Sequence, residues 1–277
     1  MTDVRIGVVS YKETKFQQSQ SESGLGTQLE RALTRLNVSA QVRVSTEDRG
    51  DIYGIEVTPR TVQASLDEQW KIQRRWTNFL QRRGYFGQLI YNVPRLFYRA
   101  TQRLKAPVPS TITRLLNIEA SHRDLLAWGF DGDARWVLIL EDDAMSTDVE
   151  DLAKGLQGIV HGRRTPAYAN LSDSFTSSQL GVDHLLTRVE DVNWEGRYPR
   201  AILQSTLPVS NTVCAVLYRA DFARRLSEAY EDLPVEPVLP IDWKFNAALM
   251  LMHERSEIEP NECWQVEPAP IVQMSMR

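Results

Sequence analysis

A chain of 277 residues with 42% hydrophobic and 25% charged residues can bury a sizeable core, and its composition is not that of a disordered or collagenous chain. Its longest unbroken apolar run, Ala247–Met252, falls far short of the roughly 20 residues that span a bilayer, so no transmembrane helix is expected. The net charge of −4 hides a strongly basic central stretch.

Val4–Val9 is short and carries Arg5, so it reads as a first strand, Val4–Ser10, and not as a signal peptide. The polar segment Tyr11–Ser23 reads as a loop. Thr27–Leu36 places Leu29, Ala32, Leu33 and Leu36 at helical spacing, and Thr27 with Glu30 has the form of a capping box. Val38–Val44 alternates as a second strand. A β-loop-α-β opening of this kind starts a nucleotide-binding half-sheet. Gly24-Leu25-Gly26, a fragment of GxGxxG, is the candidate phosphate cradle within it.

Thr46–Gly54 reads as a polar loop and Ile55–Val57 as a short strand. Thr61–Arg83 reads as a helix broken at Gly84–Gly87, and Leu89–Leu104 as another interrupted at Pro94. Ala106–Ser110 ends this region. From Gln69 to Ile118 there is no Asp or Glu, while Lys71, Arg74, Arg75, Arg82, Arg83, Arg95, Arg99, Arg103, Lys105 and Arg114 interleave with aromatics such as Trp70, Trp76, Tyr85, Phe86 and Phe97. Arginines among aromatic rings suit an anionic surface over an apolar layer, as in phospholipid headgroups. Residues 61–110 are therefore expected to form a basic aromatic helical insertion, with 69–118 meeting an anionic membrane surface or a polyanionic acceptor. A solvated basic hairpin with its aromatics in the core is the alternative. Nucleic acid, bound through phosphates and stacking, is the least favoured partner.

A helix from Thr111 or Thr113 to about Trp128, with Gly129 at its C-cap, leads through Asp131-Gly132-Asp133 into the most informative segment, Trp136–Ala144. Five apolar residues, Trp136–Leu140, run directly into Glu141-Asp142-Asp143. The run reads as a strand buried on both faces, and the acids then stand where open α/β sheets bind ligands. Adjacent carboxylates repel one another, and a hard divalent cation, Mg²⁺ or Mn²⁺, would neutralise them and normally arrives with a phosphate.

Further on, the expectations are a helix at Val149–Val160, strands at Ala167–Leu171, Ala201–Leu203 and Val213–Tyr218, and a polar substrate loop at Ser172–Asp191. Asp221–Tyr230 and Asp242–His253 read as helices joined by a linker at Pro234–Pro240, and Ile271–Met274 as a last strand. Cys214 and Cys263, far apart and without CxxC spacing, read as buried thiols and not as a disulfide or metal site. A cytosolic protein follows.

Several of these residues together resemble glycosyltransferase family twenty-five, which contains lipopolysaccharide and collagen galactosyltransferases. They are Glu119-Ala120-Ser121-His122 on a helix ending at Trp128, the acid-ended strand, Ala215–Phe222, and Leu239-Pro240-Ile241-Asp242-Trp243. The resemblance covers about half of the chain, Arg114–Phe245. It implies an α/β fold of GT-A type over 1–277, a nucleotide-binding sheet flanked by helices. By that resemblance Asp143 and Glu141 hold Mn²⁺ or Mg²⁺ against the diphosphate of a nucleotide sugar, with Glu141 and Asp142 on the donor side; His122, and Ser121 with it, either touches the donor or orients the acidic strand, the alternative being a packed, hydrogen-bonded helix residue. It also implies inversion at the anomeric carbon, with Asp242 as the general base or a carboxylate that orients the acceptor; its alternative role is a helix N-cap. The chain departs from the family in ending its first strand Val9-Ser10-Tyr11-Lys12, with no arginine between there and Arg31, and in carrying Ser210–Cys214 before Tyr218.

The expected activity is metal-dependent transfer of a sugar from a nucleotide-sugar donor, UDP-linked by preference, to a cell-envelope glycan or glycolipid acceptor, at the inner face of the membrane. Two rivals stand beside it. One is a nucleotidyl- or phosphoryl-transferring enzyme on the same acidic site, and the other a non-catalytic scaffold whose basic face binds anionic membrane.

Overall fold

The computed structural model describes residues 3–10, 24–45, 64, 67–68, 71–72, 109–173, 183–192, 194–208, 213–233 and 240–274. The expectations for Tyr11–Ser23, Thr46–Gly54, Ile55–Val57, Gly84–Gly87, Leu89–Leu104 and the linker at 234–239 lie outside the described residues, as does most of the basic stretch. Within the expected Thr61–Arg83 helix, Ala64, Asp67, Glu68, Lys71 and Ile72 are described, and all are helical.

The first strand, β1 (Val4–Val9), lies between β2 (Ala40–Ser45) and β3 (Trp136–Glu141), and all three are parallel. Beyond β3 the sheet continues through β8 (Ala215–Arg219), β5 (Tyr168–Asn170), β9 (Cys263–Glu267), β7 (Ala201–Ser205) and β6 (Thr187–Arg188). β8 and β7 run against their neighbours, and the remaining strands share one direction, which makes the sheet mixed and mostly parallel. A small second sheet pairs β4 (Ala144–Met145) with β10 (Val272–Gln273).

Alternation along β3 divides the core in two. Trp136, Leu138 and Leu140 pack with α1 (Leu25–Arg35) and α3 (Val149–Val160) on one face. Val137 and Ile139 pack with α2 (Pro109–Phe130), α4 (Ala220–Glu231) and α5 (Ile241–Glu254) on the other. The expectation of a strand buried on both faces is met, since Trp136–Leu140 are each at most 2% exposed. Burying such a side chain contributes about 1.5–3 kcal/mol apiece. This is an α/β architecture with helices on both faces of the sheet. Among the described residues, no helix is long and apolar enough to cross a membrane.

The starts of α1 and α2 and the role of Gly129 differ from the sequence reading. The N-cap of α1 is Gly24, and no side chain caps it. Thr27 lies inside the helix, and the Glu30 carboxylate accepts the Val42 N–H at 3.0 Å, so the capping box does not form. Gly26 is buried in α1, where a Cβ would stand 2.7 Å from the Val8 side chain. Close packing of helix on strand accounts for that glycine. Likewise α2 begins at Pro109, a favoured first helical residue, and runs past Gly129 to Phe130. Gly129 is a contact residue and not a C-cap, because a Cβ there would meet Val137 Cγ1 at 2.3 Å.

α3 forms as its pattern dictates. Leu152, Leu156 and Ile159 line one buried face, and Asp148 caps the start by accepting the Asp151 N–H at 3.0 Å. β9 has no counterpart in the sequence reading, although it lies inside the sheet between β5 and β7.

Candidate metal centre

The acids stand at a reversal of strand order. The chain leaves β1 for β2 on one side and returns to β3 on the other, so the C-terminal ends of β1 and β3 border a crevice of the kind that binds ligands in open α/β sheets. Ser10, the fully buried residue after β1, donates its hydroxyl to Asp142 Oδ2 at 3.5 Å across this crevice.

Glu141 is held from three directions. Its N–H donates to the Cys214 carbonyl at 2.8 Å, which extends the β3–β8 ladder by one residue. The His122 ring on α2 places Nε2 3.4 Å from Glu141 Oε1, and Gln273 donates to Oε2 at 3.2 Å. Asp143 follows in the turn after β3, its carbonyl accepting the Met274 N–H at 3.1 Å. One carboxylate oxygen of Glu141, one of Asp143 and the Cys214 sulfur all fall within 4.8 Å of one another. Asp142 and Asp143 are each 8% exposed and Cys214 is fully buried, so this is not a solvated acidic turn.

The electrostatics point the same way. The Cys214 thiol is pushed well above its usual range, first by burial and then by the charges of Glu141, Asp143, Asp173 and Asp142. Asp173 therefore belongs to this acidic group. Its carboxylate also accepts the Gln273 N–H at 3.1 Å, so Gln273 bridges Asp173 and Glu141. Converging carboxylates of this kind fit a divalent cation; their oxygens suit Mg²⁺ or Mn²⁺, and the sulfur suits a softer ion.

Asp242 sits in the first turn of α5, after Pro240 as N-cap. Its carboxyl is pushed up to about 7, chiefly by burial. The Trp243 backbone N–H opposes that rise, and the negative charge of Glu141 adds to it. The N-cap alternative is not what forms, and the structure instead brings Asp242 within electrostatic range of the acidic edge.

The remaining expected site residues separate. His122, 1% exposed, reaches Glu141 and sets its ring edge-on to Phe245 of α5, with centroids 6.1 Å apart. Ser121 bonds elsewhere, accepting from the Ser45 hydroxyl at 2.9 Å at the end of β2. One turn back on α2, Glu119 accepts from Lys244 Nζ of α5 at 2.7 Å and from the Tyr230 hydroxyl of α4. These contacts fix α5, and with it Asp242, against α2.

Cys214, Asp173 and Gln273 are the residues that the sequence reading did not bring to this site; Cys214 and Cys263 are free and buried, as that reading expects, and Cys214 also stands beside the Glu141 and Asp143 carboxylates. No protein-family model matches the chain, and no curated protein matches it.

Proposed function

We propose that the protein is a metal-dependent glycosyltransferase of GT-A type, using a nucleotide-sugar donor and a glycan or glycolipid acceptor. The observation that carries this reading is a carboxyl raised by burial within electrostatic range of the acids that converge at the end of β3. Glu141 and Asp143 converge in a geometry fit for a cation, while Asp242 nearby has a carboxyl raised to about 7. A carboxyl raised toward neutral pH by burial, beside a candidate cation site, is a recognised mark of a general acid or base.

Glu141 and Asp143 would hold the cation, and Asp142, steadied by Ser10, and His122, behind Glu141, would shape the donor side. The bound cation supplies charge neutralisation for a diphosphate and so stabilises it as a leaving group. Asp242 acts on the acceptor. Its hydroxyl oxygen forms a bond to the anomeric carbon, the bond from that carbon to the diphosphate breaks, and the hydroxyl proton passes to the Asp242 carboxylate. A carboxyl near 7 is well matched to that transfer at neutral pH. Inversion and a UDP donor belong to this reading through the family resemblance. The acid-free arginine stretch at 69–118 supports a peripheral position on an anionic membrane at its cytoplasmic face.

Calorimetry of UDP with and without Mn²⁺, on wild type and Asp143→Ala, tests the reading. Metal-dependent binding weakened at least about tenfold in the variant is expected, followed by UDP release from a UDP-sugar. Pyrophosphate release from a nucleoside triphosphate would replace this activity with nucleotidyl transfer. Absence of nucleotide binding by wild type would overturn it in favour of a scaffold.

A further inference from the structure

Among the described residues the Cys214 thiol takes part in no disulfide or hydrogen bond. Both cysteines are free, and whereas the Cys263 sulfur lies 3.5 Å from the Thr206 carbonyl, no hydrogen bond engages the Cys214 side chain among the described residues. Its burial is that of a core residue, in one apolar cluster with Trp136, Leu138, Ala215 and Leu217. What packing does not account for is the position of the sulfur within 4.8 Å of a carboxylate oxygen of Glu141 and of Asp143. A cation between the three atoms changes each of these contacts from indifferent or repulsive to attractive.

The geometry supports a more specific conclusion, which rests on the reading of Glu141 and Asp143 as metal ligands. We propose that Cys214 is a third protein ligand of that cation, making a mixed carboxylate–thiolate centre that favours a borderline ion such as Zn²⁺ or Co²⁺ over Mg²⁺. Thiolate selects softer ions, whereas sites of oxygen alone suit Mg²⁺. On ligation the S–H bond breaks, its proton passes to solvent, and the sulfur electron pair forms the bond to the metal; no oxidation state changes. The β3–β8 ladder builds the arrangement, because the Glu141 N–H bonded to the Cys214 carbonyl sets the two residues side by side.

Co²⁺ is the probe, since thiolate ligation gives it an intense near-ultraviolet sulfur-to-metal absorption that carboxylates do not. Titration of wild type with Co²⁺, followed by absorption and calorimetry together, is expected to give this band in step with binding. Cys263→Ser should keep the band. Cys214→Ser should lose it while still binding Co²⁺, and its preference for Zn²⁺ over Mg²⁺ should fall at least about tenfold. Co²⁺ binding to wild type without the band, or a band that survives in Cys214→Ser, overturns the thiolate assignment and leaves the carboxylate site standing. Failure of wild type to bind any of these ions overturns both. The wild-type spectrum decides the main point even if a variant folds badly.

Discussion

Lys244 Nζ lies 2.7 Å from the Glu119 carboxylate with both side chains almost wholly inside the protein, joining α5 to α2 through a buried ion pair. Burial draws the Lys244 ammonium downward in pKa, and the Glu119 charge opposes that. Removing one partner leaves a buried charge uncompensated, so Lys244→Met is expected to cost about 3–5 kcal/mol. Lys244→Met with Glu119→Leu should cost clearly less than the single change. Urea unfolding of both variants decides it, and a single-variant loss below about 1 kcal/mol would show the pair to be dispensable.

The raised Asp242 carboxyl has a signature in stability. Its folded value of about 7 stands above the ordinary value of 3.8, so the group stays protonated in the fold while the unfolded chain ionises. The stability associated with its protonated form is fully present below pH ~4 and is lost as pH rises to ~7. Asp242→Asn escapes that loss. Its melting temperature should exceed that of wild type by at least about 2 °C at pH 8, with the gap closing at pH 4. A gap independent of pH would mean that the carboxyl is not raised.

His122 reaches Glu141 from behind, as groups that orient a ligand do. His122→Ala is expected to weaken Mn²⁺ binding about 10–100-fold, and His122→Asn, which keeps a donor, should recover part of it. Because His122 also packs against Phe245, melting curves must accompany the binding data. Unchanged affinity in a folded His122→Ala variant would confine the residue to packing.

Gly155 offers a case in which helix propensity and packing oppose each other. Alanine in a helix interior gains about 1 kcal/mol over glycine. At this position in α3, however, its Cβ would fall 2.1 Å from the Trp194 ring, whose indole N–H donates to the buried Asp151 carboxylate at 3.3 Å. Gly155→Ala should therefore lower the melting temperature, contrary to propensity, and a rise would show that the ring is free to move.

Much of the frame could be read from local pattern. Trp136–Leu140 declared a doubly buried strand because no polar residue interrupts it, and Leu152, Leu156 and Ile159 declared α3 by spacing. β9 did not declare itself, because Gln265 and Glu267 break its apolar pattern and the strand acquires its buried place only from β5 and β7 on either side. The candidate site divides in the same way. Glu141 and Asp143 stand at a legible strand end, whereas Cys214, Asp173 and Gln273 reach them through strand pairing and a bridge between Ser172 and Ile271, which no local spacing encodes. Thr27 and Gly129 were misread because helix-end chemistry and close packing favour the same small residues.

The placement of β8 has a consequence during synthesis. β3 and β5 never pair with each other; β8 separates them and runs against both. As the chain emerges from the ribosome, β3 therefore waits with an open edge until residues 215–219 have been made, and β5 keeps its other edge open until β9 follows. Cys214 enters with that same insertion. A nascent chain cut short before it would carry the acids of β3 without their sulfur, so a thiolate-bound ion would report that the middle of the sheet had closed.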